Sequence, residues 1–121
     1  MAGFTDLEAW KINHELVKEI YRITRSFPKE ERYGIVDQIR RAASSITANI
    51  AEGFGRFHYK DKVVFYYHSR GSNTEVQNFL ILSFDLKYLS KDDYDFLIDL
   101  CTQGYQLICG LIRSTETRLS I

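Results

Sequence analysis

The clearest indication of the fold comes from residues 35–57, IVDQIRRAASSITANIAEGFGRF. Apolar residues recur there every three or four positions and fall on one arc of a helix: Ile35, Ile39, Ala42, Ala43, Ile46 and Ile50. A polar stripe runs beside that arc: Gln38, Arg41, Ser45, Asn49 and Glu52. Short Ala and Ser side chains fill most other positions, so we expect neighbouring helices to approach closely on more than one side. Gly53 and Gly55 predict the end of this helix, at a residue with positive φ.

Working outward, three further helices are predicted. The first begins at Thr5 or Asp6 and ends at Phe27-Pro28, because the residue before a proline is disfavoured in helical conformation. The third runs from about Tyr59 to Leu89. Ser90 begins the fourth, where the spacing Ser90-x-x-Asp93 predicts a capping box. No stretch alternates convincingly as a strand, so we predict one all-α domain over residues 1–121, an antiparallel up-down-up-down four-helix bundle.

The third helix is apolar on two faces. One face carries Phe65, Val76, Phe79, Leu80 and Leu86, and the other carries Val63, Tyr66, Ile81, Phe84 and Tyr88. A small bundle cannot cover both faces of one helix with its own three partners. The surplus face therefore predicts self-association.

Composition excludes several classes of protein. No apolar run approaches the roughly 18 residues needed to cross a bilayer, and the first residues lack a signal-peptide pattern, so we expect a cytoplasmic protein without a membrane partner. We expect Cys101 and Cys109 to be reduced, packed thiols. His14, His58 and His68 lack metal-site spacing, and no acyl-transfer or phosphate-loop motif occurs. We therefore expect no metal, cofactor or small-molecule substrate, and no enzymatic activity.

Charge is balanced overall but unevenly placed. Sixteen basic residues match sixteen acidic ones, so a global basic excess is absent. In the predicted topology, however, the turn between the second and third helices lies at the same end as the C-terminus, and the acidic turn around Asp92 and Asp93 lies at the opposite end. The resulting basic mouth would comprise Arg56, Lys60, Lys62, Arg113 and Arg118.

Aromatic residues are interleaved with those cations. Phe57 and Tyr59 can stack on unpaired bases while the cations neutralise phosphates, although at helical spacing aromatics also serve as core or subunit contacts. A nucleic-acid surface requires Phe57, Tyr59 and the nearby cations to be exposed together. Exposure therefore decides between the two interpretations.

The sequence also carries a family resemblance. QIRRAASSITANIAEGFGR (38–56) and YKDKVVFYYHSRGSNTE (59–75) resemble the bacterial four-helix-bundle proteins encoded in intervening sequences of 23S rRNA genes. Phe4-x-x-Leu7-x-x-Trp10, Phe27-Pro28-x-Glu30 and Leu86-x-Tyr88-Leu89 are similar too, so the match covers nearly the whole chain. The resemblance implies a homopentamer without enzymatic activity. It further implies distant kinship with accessory proteins of diversity-generating retroelements, which bind nucleic acid and a reverse transcriptase.

By position, the family's polar signature falls on ten residues: Gln38, Arg41, Ser45, Asn49, Glu52, Gly53, Arg56, Gly71, Ser72 and Glu75. This chain departs from the family at His58, where serine is the usual helix cap, and at His68, Ser69 and Asn73, which make the third helix more polar. We interpret the stripe as a hydrogen-bonded network at a helix or subunit interface; the alternative is a ligand-binding face. Arg40 or Arg41 is predicted to pair with Glu75, and Glu52 with a donor near the turn.

Two functions follow. The first is a self-assembling structural or adaptor module, a homopentamer. Its subunit interface or structural polar network would comprise Gln38, Arg41, Ser45, Asn49, Glu52, Gly71, Ser72 and Glu75. The second is an RNA- or DNA-binding accessory protein that uses the basic mouth.

Overall fold

Four α-helices make up the bundle. The structure, a computed structural model, describes residues 3–119. The helices are α1 (Glu8–Thr24), α2 (Ile35–Gly55), α3 (Tyr59–Asp85) and α4 (Lys91–Leu119), with single 3₁₀ turns at Phe4–Asp6 and Lys29–Glu31. Each helix packs on the next, and α4 returns to α1. The predicted all-α four-helix bundle is confirmed, and no strand occurs among residues 3–119.

The core is formed by the stripes that the sequence marked. All six apolar residues of the α2 arc are buried: Ile35, Ile39, Ala42, Ala43, Ile46 and Ile50. From α1, Ala9, Leu16, Ile20 and Ile23 join them, with Leu97, Cys101, Ile108 and Ile112 from α4. The period of 3.6 residues thus places one apolar stripe each of α1, α2 and α4 towards a common centre, where the buried side of α3 meets them.

α2 ends where predicted but by a different mechanism. Its last residue is Gly55, yet none of the glycines among residues 3–119 has a positive φ, and Arg56 is extended. Gly53 lies inside the helix and is buried; a Cβ there would stand 2.7 Å from Cε1 of Tyr66. Gly53 therefore permits the close approach of α2 and α3.

α3 ends about one turn before the expected Leu89. Lys87 has a φ of 65°, the N–H of Tyr88 donates to the carbonyl of Ser83 (2.9 Å), and the N–H of Lys87 donates to that of Phe84 (2.9 Å). This is a Schellman ending with lysine in the position that glycine usually takes. The left-handed conformation of Lys87 could not be predicted from the sequence, because a glycine is the usual signal for it and none occurs at this position.

The turn after α3 is tied to the turn between α1 and α2. The ring of Tyr88 packs on Phe27 with 5.5 Å between ring centroids, and its hydroxyl donates to Glu31 Oε2 at 2.8 Å. α4 then begins as predicted, since Ser90 Oγ accepts the N–H of Asp93 at 3.1 Å. The start of α1 differs: a 3₁₀ turn occupies Phe4–Asp6, and α1 itself begins at Glu8.

A polar layer crosses the middle of the core. Asn13 and Asn73 are essentially fully buried. Nδ2 of Asn73 donates to Oδ1 of Asn13 (3.2 Å) and to the carbonyl of Cys101 (3.1 Å), and Nδ2 of Asn13 donates to the carbonyl of Ala9 (2.7 Å). Gly104 makes room, because a Cβ there would lie 2.3 Å from Oδ1 of Asn13. The layer therefore links α1, α3 and α4.

Ser69 also faces inward, and its hydroxyl donates to the carbonyl of Ile46 at 2.8 Å. Two of the family departures on α3, Ser69 and Asn73, thus lie inside the protomer. Among the described residues, every buried side-chain nitrogen and oxygen has a hydrogen-bond partner.

Candidate functional site

The centre of the predicted polar stripe joins α2 to α3. Ser72 Oγ donates to Ser45 Oγ at 2.9 Å, and Nδ2 of Asn49 donates to the carbonyl (2.8 Å) and the hydroxyl (3.0 Å) of Ser45. These groups are partly buried. Their geometry is that of a hydrogen-bonded network between helices of one protomer.

The ends of the stripe are open to solvent. Gln38, Arg41 and Glu52 are exposed. Glu52 pairs with Arg56 at 3.8 Å, so its predicted partner near the turn is confirmed. Both side chains are about half exposed, and such a pair contributes little to stability.

The predicted pair with Glu75 does not form within the protomer. Arg40 Nε donates to Thr24 Oγ1 (3.0 Å), and Arg40 Nη2 donates to the carbonyl of Tyr21 (3.1 Å). Arg41 instead pairs with Asp37 at 3.0 Å. Arg40 lies on the α1 side of α2, and Arg41 has a carboxylate one turn away on its own helix. Both arginines are therefore engaged elsewhere, while Glu75 is exposed.

Part of the solvent side of α3, which we call the α3 face, carries both apolar and polar residues: Val64, Gly71, Glu75, Asn78, Leu82 and Leu86. Gly71 is exposed, and a Cβ there would meet nothing within 4 Å. Glycine in a helix interior costs about 1 kcal/mol relative to alanine. The protomer therefore offers no packing reason for glycine at this position.

Exposed apolar side chains lie on either side of Gly71. Val64 is 45% exposed and Leu82 is 41% exposed. At 100° per residue both fall within about 20° of Gly71 around the helix. Leu86, one turn beyond Leu82, is 46% exposed. The α3 face thus carries exposed apolar side chains and, at Gly71, backbone that no side chain covers.

The surplus apolar surface is present, but its residues differ from those predicted. Val63 and Tyr66 are buried, and Phe84 stacks on Tyr94 of α4 with centroids 4.4 Å apart. Of the predicted second face, Ile81 is exposed. Because α2 and α4 flank α3 on two sides, both predicted faces are largely covered. Leu86 of the first predicted face remains exposed, as do Val64 and Leu82, which lie between the two predicted faces.

The other candidate region, which we call the Phe57 end, comprises Arg56, Phe57, Tyr59, Lys60 and Arg118. Phe57 is 88% exposed and Tyr59 is 41% exposed. The guanidinium of Arg118 lies 5.4 Å from the ring centroid of Tyr59, and that of Arg56 lies 4.7 Å from the ring of Phe65. Lys60 is exposed. Phe57, Tyr59 and these cations are therefore open to solvent together.

The other two predicted cations are placed differently: Lys62 lines one pocket with Tyr59 and Arg118 but is only half exposed, and Arg113 lies elsewhere on α4. Lys62 Nζ donates to the carbonyls of Phe54 (2.6 Å) and Gly53 (3.4 Å), and burial lowers the pKa of this amine. Lys62 thus satisfies the last carbonyls of α2, a role that its place in the sequence did not reveal. Arg113 is exposed on α4 and has none of the contacts that place Arg118 beside Tyr59.

The charge at this end is mixed. The same end of the bundle carries five acidic residues: Asp6, Glu8, Glu52, Asp61 and Glu116. The hydroxyl of Tyr67 donates to Glu116. The opposite end is mixed as well, because Arg25, Lys29 and Arg32 lie in the turn beside that of Asp92 and Asp93. The predicted separation of charge is therefore weaker than expected, since the turns that meet at each end carry opposite signs.

Residues 3–119 contain neither a membrane span nor a metal-binding cluster. None of the helices there combines the length and the hydropathy that crossing a bilayer requires. No three His, Cys, Asp or Glu side chains gather there in a way that could hold a metal ion.

These features define a class: a four-helix bundle with an uncovered apolar face on α3 and an exposed aromatic turn. The family profile of the 23S rRNA-intervening sequence protein matches residues 5–110. The chain belongs to this family.

A solved structure shares the fold. It is the crystal structure of a protein with unknown function from the S23 ribosomal protein family of Bacteroides thetaiotaomicron VPI-5482. Its TM-score is 0.80 at 20% sequence identity, and the match covers 87% of this chain and 95% of that one. At this identity the likeness concerns the fold alone. Among curated proteins none gives a significant match.

Proposed function

We propose that the chain is a non-enzymatic, self-assembling helical bundle, a homopentameric structural or adaptor module of the cytoplasm. The observation that carries the proposal is Gly71. A glycine that weakens its own helix, with open space where its side chain would be, is explained if another backbone or side chain approaches it in an assembly.

The α3 face supplies the rest of the contact. Val64, Leu82 and Leu86 offer apolar area along the same side of α3 as Gly71, and burying such area is the main favourable term in association. Specific interfaces remove about 800 Å² per partner from solvent. The polar ends of the stripe on α2, Gln38 and Arg41, would form the rim of that interface.

Absolute mass in solution, measured by light scattering after size exclusion, tests this proposal. We expect a species of five times the 14.2 kDa of one chain. Gly71→Gln should reduce the mass to that of the protomer, while helical content stays the same because glutamine is a better helix former than glycine.

Gly55→Gln is the matched control. It makes the same change at an exposed glycine with nothing within 4 Å and a negative φ, away from the α3 face. A wild-type protein that runs as a monomer would refute self-assembly. An intact oligomer in Gly71→Gln would refute the assignment to the α3 face.

A second function is supported by the Phe57 end: an accessory protein that binds RNA or DNA there. The observation behind it is the joint exposure of Phe57, Tyr59 and the cations Arg56, Lys60 and Arg118. Aromatic rings beside cations suit unpaired bases and phosphates together.

Salt dependence tests this second function. Phosphate neutralisation releases counterions, so affinity should fall between about 50 mM and 200 mM salt. The triple variant Arg56→Gln, Lys60→Gln, Arg118→Gln should abolish binding without changing the mass. Lys62 is left intact because it holds the end of α2. Binding that survives the triple change would place the nucleic acid elsewhere.

A further inference from the structure

We propose that the ligand of the Phe57 end is single-stranded nucleic acid, with an unpaired base stacked on the ring of Phe57. This inference rests on the second proposed function and deepens it. It makes Phe57, more than any cation, the residue on which affinity depends.

Phe57 is exposed enough for its ring to stack on a ligand. It lies between α2 and α3 with 88% of its surface exposed, and its ring makes an edge contact with the neighbouring His58 at 5.0 Å between centroids. Short turns are normally built from Gly, Asn, Asp, Ser and Pro. A phenyl ring in this position adds no burial to the protomer and is free to stack on a planar ligand.

A second platform lies beside it. Tyr59 is part exposed, and Arg118 stands over its ring at 5.4 Å and donates to its hydroxyl at 3.4 Å. An open groove lined by His58, Tyr59, Lys60, Asp61, Arg118 and Leu119 runs along this pair. Phe57 precedes His58, the first residue of this groove, so Lys60 and Arg118 within the groove can contact the phosphates of a strand whose base stacks on Phe57.

The mixed charge of this end argues for a single strand against a duplex. Duplex binding without base contacts depends on neutralising many phosphates, and Asp61, Glu52 and Glu116 offset the few cations here. A duplex also hides its base faces, whereas stacking of unpaired bases needs no net positive charge. With about two or three phosphates contacted, affinity should still fall roughly tenfold between about 50 mM and 200 mM salt, less than for a protein that neutralises many phosphates.

Fluorescence anisotropy of a labelled oligouridine, alone and annealed to its complement, tests the proposal. We expect wild-type protein to bind the single strand more tightly than the duplex at low salt. Phe57→Ala should weaken single-strand binding about tenfold, and Phe57→Trp should retain it, because a base–aromatic stack contributes this much. Neither change should alter the mass or the thermal stability, since Phe57 is not packed.

Tyr33→Ala is the matched control. Tyr33 is 84% exposed and lies next to Arg32, whose guanidinium is 5.4 Å from its ring, but it belongs to the opposite end of the bundle. Its removal should leave binding unchanged. If it weakens binding as much as Phe57→Ala does, the location is wrong.

The remaining outcomes distinguish nucleic-acid binding as such from base stacking on Phe57. If the wild-type protein binds neither probe at low salt, the second function itself fails. If it binds the duplex equally well and Phe57→Ala has no effect, nucleic-acid binding stands and the stacking inference is overturned. If Phe57→Ala dissociates an oligomer, Phe57 is a subunit contact and the inference is likewise overturned.

Discussion

The two cysteines show how position on a helix sets the chemistry of a side chain. Cys101 is buried in the polar layer, where its thiol contacts the carbonyl of Asn73 at 3.6 Å and its Oδ1 at 3.4 Å. Burial raises the pKa of Cys101 to about 12. Cys109 is half-buried and free. The thiolate is the reactive form, so the two residues should differ strongly in reactivity.

We expect a disulfide reagent to modify Cys109 in the native protein and Cys101 only after unfolding. The measurement is the rate of thiol release with and without denaturant, with Cys109→Ser isolating Cys101. Since the folded pKa of Cys101 lies above the unfolded value of about 9, its contribution to stability is complete below that pH. It is lost as pH rises towards 12. Rapid labelling of native Cys109→Ser would contradict this account.

At the scale of single residues, the sequence predicted more of the apolar core than of the polar contacts. The α2 arc follows from its spacing alone. The hydrogen-bond partners of Arg40 could not be predicted from spacing, because they are a carbonyl and a hydroxyl on α1 that come within reach only after the helices pack. Asn13 gave a usable signal that was missed: it interrupts an apolar stripe between Ala9 and Leu16, where a buried, hydrogen-bonded amide fits.

At the scale of helices, Gly53 governs how closely α2 and α3 pack. The role of Gly53 could not be predicted from the sequence, because glycine both ends helices and allows close contact between them. The structure separates the roles: a Cβ at Gly53 would meet Cε1 of Tyr66 at 2.7 Å and Cβ of Phe65 at 3.0 Å. Tyr66 is buried and has little space in which to move.

Gly53→Ala should therefore lower the free energy of unfolding by about 1–3 kcal/mol, the usual cost of overpacking. Gly55→Ala, two residues on, meets nothing within 4 Å and should be neutral or slightly stabilising. Urea denaturation of both variants makes the comparison. Equal stability of the two would show that α2 and α3 can separate without cost.

Helix ends were predicted unevenly for a related reason. The N-cap at Ser90 could be predicted, because both the residue type and its spacing to Asp93 are typical of helix starts. The end of α3 was not, because Lys87 adopts the left-handed conformation that a glycine would normally signal. Backbone strain of this kind is imposed by packing of the turn, which the local sequence does not encode.

At the scale of the whole molecule, one end of the bundle is closed by a contact between its two turns. Tyr88 packs on Phe27 and donates to Glu31. The hydrogen bond to Glu31 is the main cause of a raised pKa for Tyr88, with burial and nearby carboxylates adding to it. Because the folded pKa exceeds the unfolded one, this contribution is complete below about pH 10 and is lost above it.

Tyr88→Phe keeps the ring on Phe27 but removes the hydroxyl. We expect its melting temperature to be lower than that of the wild type at neutral pH, and the difference to shrink as pH rises beyond 10. Thermal melts across this range provide the measurement. Tyr33→Phe, a change to an exposed tyrosine of the same end, should show no such convergence. A constant difference for Tyr88→Phe would assign its effect to packing.

The architecture was predictable because four amphipathic segments with short turns allow few arrangements. The candidate surfaces were less so. The outer face of α3 depends on which of its apolar residues α2 and α4 cover, and the charge at each end depends on which turns meet there. The uncovered face of α3 and the charge at each end are properties of the packed chain. The family resemblance singled out Gly71, but the open space around it can be seen only in the structure.

The antiparallel path has a practical consequence. Leu7 from the start of the chain and Arg118 from its end line one pocket with Phe54 and Tyr59, so both described termini lie at the Phe57 end. Gly3 and Leu119, the first and last described residues, therefore belong to the same end of the bundle as Phe57. In a cyclic assembly of the kind proposed, every copy would present this end on the same side of the ring. Labels are better placed by single-site chemistry near the turn that contains Tyr33.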